Sequence, residues 1–148
     1  MTDNNIVPSW IKPSLFEKVL RNTIPNFKEI KDFKAFGALP PGENYATTML
    51  KIQIEVALND GTSMEESLMM KVPLDSELYR KEMSKFKMFS IESFTYNEIV
   101  REFEQMYREV GLNIKLSPQS YKLPIEEEYV LLEDLKKKGF RNCKSKMD

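Results

Sequence analysis

The stretch Thr48-Met-Leu-Lys-Ile-Gln-Ile-Glu-Val-Ala-Leu58 decides the fold class, because Leu50, Ile52, Ile54 and Val56 alternate with Lys51, Gln53 and Glu55 at period two. That spacing predicts a half-buried strand. Asn59-Asp60-Gly61-Thr62 follows, and Asp-Gly supplies the positive backbone angles of a tight hairpin turn, so the chain should reverse into a second strand over Met64 to Val72. Pro73 lacks a backbone N–H and should end that strand. Upstream, Ile30, Phe33 and Phe36 suggest a further, partly buried strand. Before it, Leu15, Phe16, Val19 and Leu20 fall at helical spacing behind Pro13, predicting a short amphipathic helix within residues 8–22 with Trp10 packing near its start.

Downstream, a long helical region is expected over residues 76–111, closed by Gly111. Short extended pieces follow at Gln119 to Leu123 and Tyr129 to Leu132. The order is helix, three strands, long helix, two short strands: an α+β domain with an antiparallel sheet of about five strands. The eight prolines punctuate it, and no internal repeat is present.

Composition narrows the chemistry. The 148 residues suit one compact domain, and 41% hydrophobic with 30% charged residues is a globular balance. With 22 Lys plus Arg against 23 Asp plus Glu, the net charge of -1 provides no positive field for nucleic acid or anionic membranes. A lone cysteine, Cys143, excludes an internal disulfide framework, and there is no apolar run of about 20 residues and no secretory leader pattern, which together predict a cytoplasmic protein. The chain contains no histidine, which removes histidine-based catalytic triads, histidine-ligated metals and any imidazole base. Chemistry is left to carboxylates, lysine, hydroxyls and backbone.

On a continuous helix from Lys85 to Tyr107, with about 100° per residue, Phe89, Tyr96, Ile99, Val100, Phe103, Met106 and Tyr107 gather on one stripe with Glu92 near its middle. A carboxylate there needs a cation, since leaving it charged and unpaired would cost several kcal/mol. Lys71, flanked by apolar neighbours in Leu68-Met-Met-Lys-Val-Pro73, is the candidate. A strand lysine paired to a mid-helix glutamate is the arrangement that kinases use to hold ATP phosphates. The same two residues also read as a solvated strand-end lysine and a simple break in the stripe, with about even weight. Gly37-Ala-Leu-Pro-Pro-Gly42-Glu-Asn44-Tyr-Ala-Thr47-Thr48 would offer backbone donors from Gly42 onward, with the Asn44 amide and the Thr47 or Thr48 hydroxyl nearby. Taken alone, such a loop is an ordinary turn. Glu133 to Leu135, after the last strand, would be a hinge meeting an adenine edge, and residues 136–148 a basic linker.

Five ordered motifs carry a resemblance: Pro8-x-Trp10; Pro41-Gly-Glu-Asn-Tyr-Ala-Thr47; Met70-Lys71-Val72-Pro73; Phe89-x-x-Glu92-x-x-x-Tyr96; and Val130-Leu-Leu-Glu-Asp-Leu135 with Gly139-Phe140. Together they resemble the ecdysteroid kinase-like family, related to choline and aminoglycoside kinases, over nearly the whole chain. The resemblance implies the small, nucleotide-binding lobe of an ATP- and Mg²⁺-dependent phosphotransferase acting on a small-molecule hydroxyl. Within it Lys71 would hold phosphates, Glu92 would orient Lys71, residues 42–48 would cover the nucleotide, and Glu133 to Leu135 would form the hinge. The family's catalytic His-Gly-Asp motif and metal-binding carboxylates, which belong to a second lobe, have no counterpart here, and Arg101 stands where members often carry proline. The resemblance therefore implies a chain inactive by itself, or a docking protein derived from the small lobe.

Overall fold

In the computed structural model, which describes residues 6–40 and 47–141, five strands form one antiparallel sheet in the order β1-β2-β3-β5-β4. The strands are β1 (Phe27–Gly37), β2 (Thr47–Leu58), β3 (Ser63–Pro73), β4 (Ser120–Tyr121) and β5 (Val130–Glu133). Helix α1 (Glu17–Thr23) follows a 3-10 turn at Pro13–Leu15. Between β3 and β4 lie α2 (Glu77–Lys81), α3 (Met88–Phe94) and α4 (Val100–Glu109). The expected α+β architecture with a five-stranded antiparallel sheet is present.

The alternation in β2 is realised on the sheet. Leu50 lies opposite Met70 and Ile52 opposite Leu68, so Leu50, Ile52, Ile54 and Val56 share one face with Leu68, Met70 and Val72. Phe16, Val19 and Leu20 from the α1 region pack on that face and make the main core with Leu131 and Leu123, with Trp10 at its margin. The other face carries Thr47, Met49 and Lys51 of β2, whose partners are Pro73, Lys71 and Met69. Lys71 also lies opposite Val130 of β5. A smaller core of Tyr79, Phe89 and Val130, with Tyr96 and Leu132, fastens the helices there.

The hairpin turn differs from the expected form. Only Gly61 takes a positive φ, of 85°. Asp60 acts through its side chain, accepting bonds from the Thr62 N–H at 2.9 Å and the Thr62 hydroxyl at 2.6 Å, so its carboxylate organises a wider loop and a left-handed Asp-Gly pair is not needed.

The long helix is the larger correction. After α2 the chain makes a 3-10 turn at Met83–Phe86, passes through Lys87 at φ 50°, and restarts as α3. A π turn at Thr95–Ile99 then separates α3 from α4, with the Val100 N–H reaching back five residues to the Thr95 carbonyl. A π turn absorbs one extra residue, so the helix beyond it is out of phase by about 100°. The expected stripe is therefore split. Phe89 is buried, whereas Phe103 is 51% exposed and Met106 61%. Glu104 takes the inward position that an uninterrupted helix would have denied it. The expected helix terminus at Gly111 is present, with φ 81° and its N–H bonded to the Arg108 carbonyl at 3.0 Å.

Candidate functional site

Lys71 and Glu92 meet across the face of the sheet opposite α1. The Lys71 ammonium donates to both carboxylate oxygens of Glu92, at 2.8 and 3.0 Å. Strand β3 supplies the lysine, with Met49 and Val130 as its cross-strand neighbours, and the seven-residue α3 supplies the glutamate. Their side chains are 29% and 30% exposed, so the pair is partly solvated and not sealed in a core. An ion pair of that exposure contributes at most about 1 kcal/mol to stability. Its larger effect is geometric: a bidentate carboxylate fixes a flexible ammonium at one point on an accessible face.

The two threonines separate. Thr47 lies opposite Pro73, on the Lys71 face. Thr48 lies opposite Val72 and is only 4% exposed, so its side chain belongs to the α1 core and its hydroxyl cannot approach a group held by Lys71. The expectation for Thr48 is thus corrected by the same period-two alternation that identified the strand. Gly42 and Asn44 lie outside the described residues.

Glu133 closes β5, and its side chain is engaged within the protein. It accepts the Gln119 N–H at 2.8 Å and pairs with Lys138 and, at 3.8 Å, Lys115. Burial alone would raise its carboxyl pKa, but Lys138 and the Gln119 N–H overcome this and hold it below the ordinary value. Its own N–H goes to the Gln119 carbonyl at 2.8 Å. Leu135 opens a 3-10 turn, Leu135–Lys138, and its carbonyl accepts from the Gly139 and Phe140 N–H groups. The Glu133 N–H and the Leu135 carbonyl are therefore committed internally. The segment expected to be a free basic linker is folded at its start, with Lys137 beside Glu66 and Lys138 on Glu133.

Sequence reasoning missed the acid between them. Asp134 accepts the Ser67 hydroxyl at 2.7 Å and the Lys136 N–H at 3.0 Å, and pairs with Lys51 at 3.2 Å. Burial would raise its pKa, but the Ser67, Lys136 and Lys51 contacts outweigh it and the carboxyl is held below the usual range. Its signal was an Asp two residues ahead of the first lysine of a short helical turn, a capping position. A second missed group is Arg101 with Glu104, joined at 2.6 Å, and an Arg three residues before a Glu on one helix was the available clue.

Among the described residues no group of three or more acidic, histidine or cysteine side chains is placed to hold a metal ion. No helix of the described residues is long and apolar enough to cross a membrane. Compared with known families, the chain matches the model of the ecdysteroid kinase-like family over residues 41–147. No curated protein and no solved structure gives a match.

Proposed function

From a chain that belongs to the ecdysteroid kinase-like family, we propose a nucleotide-holding lobe in which Lys71 takes the phosphates of ATP and Glu92 aims it. The observation that carries this reading is the bidentate Lys71–Glu92 pair on a half-open face. An ammonium with three donors can keep both carboxylate contacts and still present charge to a phosphate oxygen. Thr47 shares that face, and Gly42 and Asn44 stand shortly before it in the sequence. The turn from Glu133 to Leu135 is assigned the base-facing edge. Asp134 keeps that turn rigid.

Phosphoryl transfer consists mainly of positioning the groups and neutralising developing charge. Lys71 supplies one positive charge on the phosphates, and among the described residues no carboxylate cluster stands beside it to hold a metal. With no histidine in the chain, the family's His-Gly-Asp motif is also absent from it. We therefore assign this chain, taken alone, nucleotide binding without turnover; the accepting hydroxyl belongs to a small molecule recognised elsewhere. The test is a coupled phosphorylation assay on the purified chain with steroid and other small alcohol acceptors. The expected result is no product above background. Turnover that disappears in Lys71→Ala would overturn the assignment.

A second reading is a non-catalytic docking protein, favoured by one observation: Ile91, Phe94, Phe103 and Met106 stand exposed along α3 and α4, and Val110 just beyond α4. Stoichiometric complex formation with a full-length family member, together with no ATP binding, would replace the first reading with this one.

A further inference from the structure

The position of Glu92 is not inherited from a long helix. Helix α3 begins at a left-handed residue, Lys87, and ends at the π turn, so seven residues must be oriented by contacts of their own. Phe89 supplies one anchor, in the small core with Tyr79 and Val130. The π turn supplies the other, and side chains in and just beyond it bond carbonyls of α3 and of the turn itself. Thr95 donates to the Ile91 carbonyl at 2.8 Å, Asn97 to the Ser93 carbonyl at 2.8 Å, and Arg101 through Nε to the Tyr96 carbonyl at 3.2 Å.

The Thr95 bond is the common back-bond of a helical threonine and stays within its own helix. Asn97 and Arg101 reach further. The Asn97 side-chain oxygen, Oδ1, accepts from the Ser120 hydroxyl of β4 at 2.9 Å. Arg101 donates to the Ser117 hydroxyl at 3.1 Å and the Pro118 carbonyl at 2.8 Å, and its partner Glu104 accepts the Leu116 N–H at 2.9 Å. Residues 116–120 thus grip the turn from outside. The same segment leads into β4, which pairs with β5 ahead of the Glu133–Leu135 turn.

We propose that Asn97 and Arg101 are positioning residues that hold the π turn open and thereby aim Glu92 at Lys71. If the turn annealed to a regular α-helix, α3 would rotate relative to α4 by about 100°, and Glu92 would leave the line to Lys71. The inference rests on the reading of the Lys71–Glu92 pair as functional, but its test uses no nucleotide. Failure of one therefore leaves the other standing.

The experiment measures acylation of individual lysines in the full chain by mass spectrometry after brief exposure to an amine-reactive reagent. A paired ammonium reacts slowly, and Glu92→Gln should raise the Lys71 rate roughly threefold, the effect of losing a partly exposed ion pair. Asn97→Ala and Arg101→Met should bring Lys71 toward that ceiling, and Ser120→Ala part of the way, while Lys31 and Lys81, paired elsewhere with Glu55 and Glu77, stay unchanged. Should Arg101→Met fail to fold, Asn97→Ala and Ser120→Ala decide the matter. An unchanged Lys71 rate in these variants would overturn the proposal, and so would a uniform rise at every lysine, which would indicate general loosening.

Discussion

Replacing Asp134 with alanine tests whether the turn after β5 is held as described. Its side chain is 2% exposed and is a shared acceptor for three donors: the Ser67 hydroxyl at 2.7 Å, the Lys136 N–H at 3.0 Å and the Lys51 ammonium at 3.2 Å. A hydrogen bond to a buried charge contributes about 1.5–3 kcal/mol, and loss of a capping oxygen costs about 1 kcal/mol. Because the three bonds share one carboxylate, their effects do not add, and Asp134→Ala is expected to cost about 3 kcal/mol. For a domain of this length that corresponds to a melting temperature lower by roughly 6–12 °C. Asp134→Asn keeps the shape and the capping oxygen but loses the charge facing Lys51, so about half the effect is expected. Urea denaturation of both variants, together with Ser67→Ala and the double variant, measures the effect and the coupling between the two residues. A loss below about 1 kcal/mol in Asp134→Ala, with no coupling to Ser67, would refute the reasoning.

Acid sensitivity should follow from Glu104. Burial pushes its pKa up, but the Leu116 N–H and Arg101 overcome that and hold it below the ordinary value. A carboxyl depressed in the folded state stabilises above its unfolded pKa, and that contribution is lost as pH falls through the folded pKa. Denaturation midpoints measured from about pH 6 down to pH 3 should therefore fall, and Glu104→Gln should flatten that acid limb. At Gly111, with φ 81° and open space where a Cβ would sit, alanine should cost about 1 kcal/mol from backbone conformation alone, read from the shift in urea midpoint.

The hairpin was legible because its information is local. Alternation from Leu50 to Val56 fixes which face is buried, and a single strand is enough to display it. Lys71 stood out for a related reason: a lysine among apolar neighbours on a strand has few places to send its charge. The same alternation places Thr48 in the core, since it shares parity with Leu50 although it adjoins the segment before the strand.

The broken helix was not legible. Helical periodicity assumes an unbroken 100° per residue, and the phase slip at Thr95–Ile99 is held by Ser120, Ser117 and Pro118, which are distant in sequence. Glu92 was found despite the slip because it lies before the turn, with Phe89. Phe103 and Met106, beyond it, lie on the exposed side and not on the expected stripe. Asp134 escaped notice because its burial depends on Ser67 and Lys51, two strand residues far away in sequence, while its neighbours Lys136 to Lys138 gave the segment the appearance of a solvated linker.

The central claim is that Lys71, aimed by Glu92, is the phosphate-holding group of this lobe. It is tested most directly by titrating the isotopically labelled chain with ATP and following backbone and lysine side-chain resonances. Weak, saturable shifts are expected, with a dissociation constant above roughly 100 µM, centred on Lys71, Glu92, Thr47 and Met49, and binding weakened about tenfold in Lys71→Ala by loss of one charge-assisted bond. Shifts centred on the α1 face around Phe16 and Thr48, or shifts equally strong in Lys71→Ala, would contradict it.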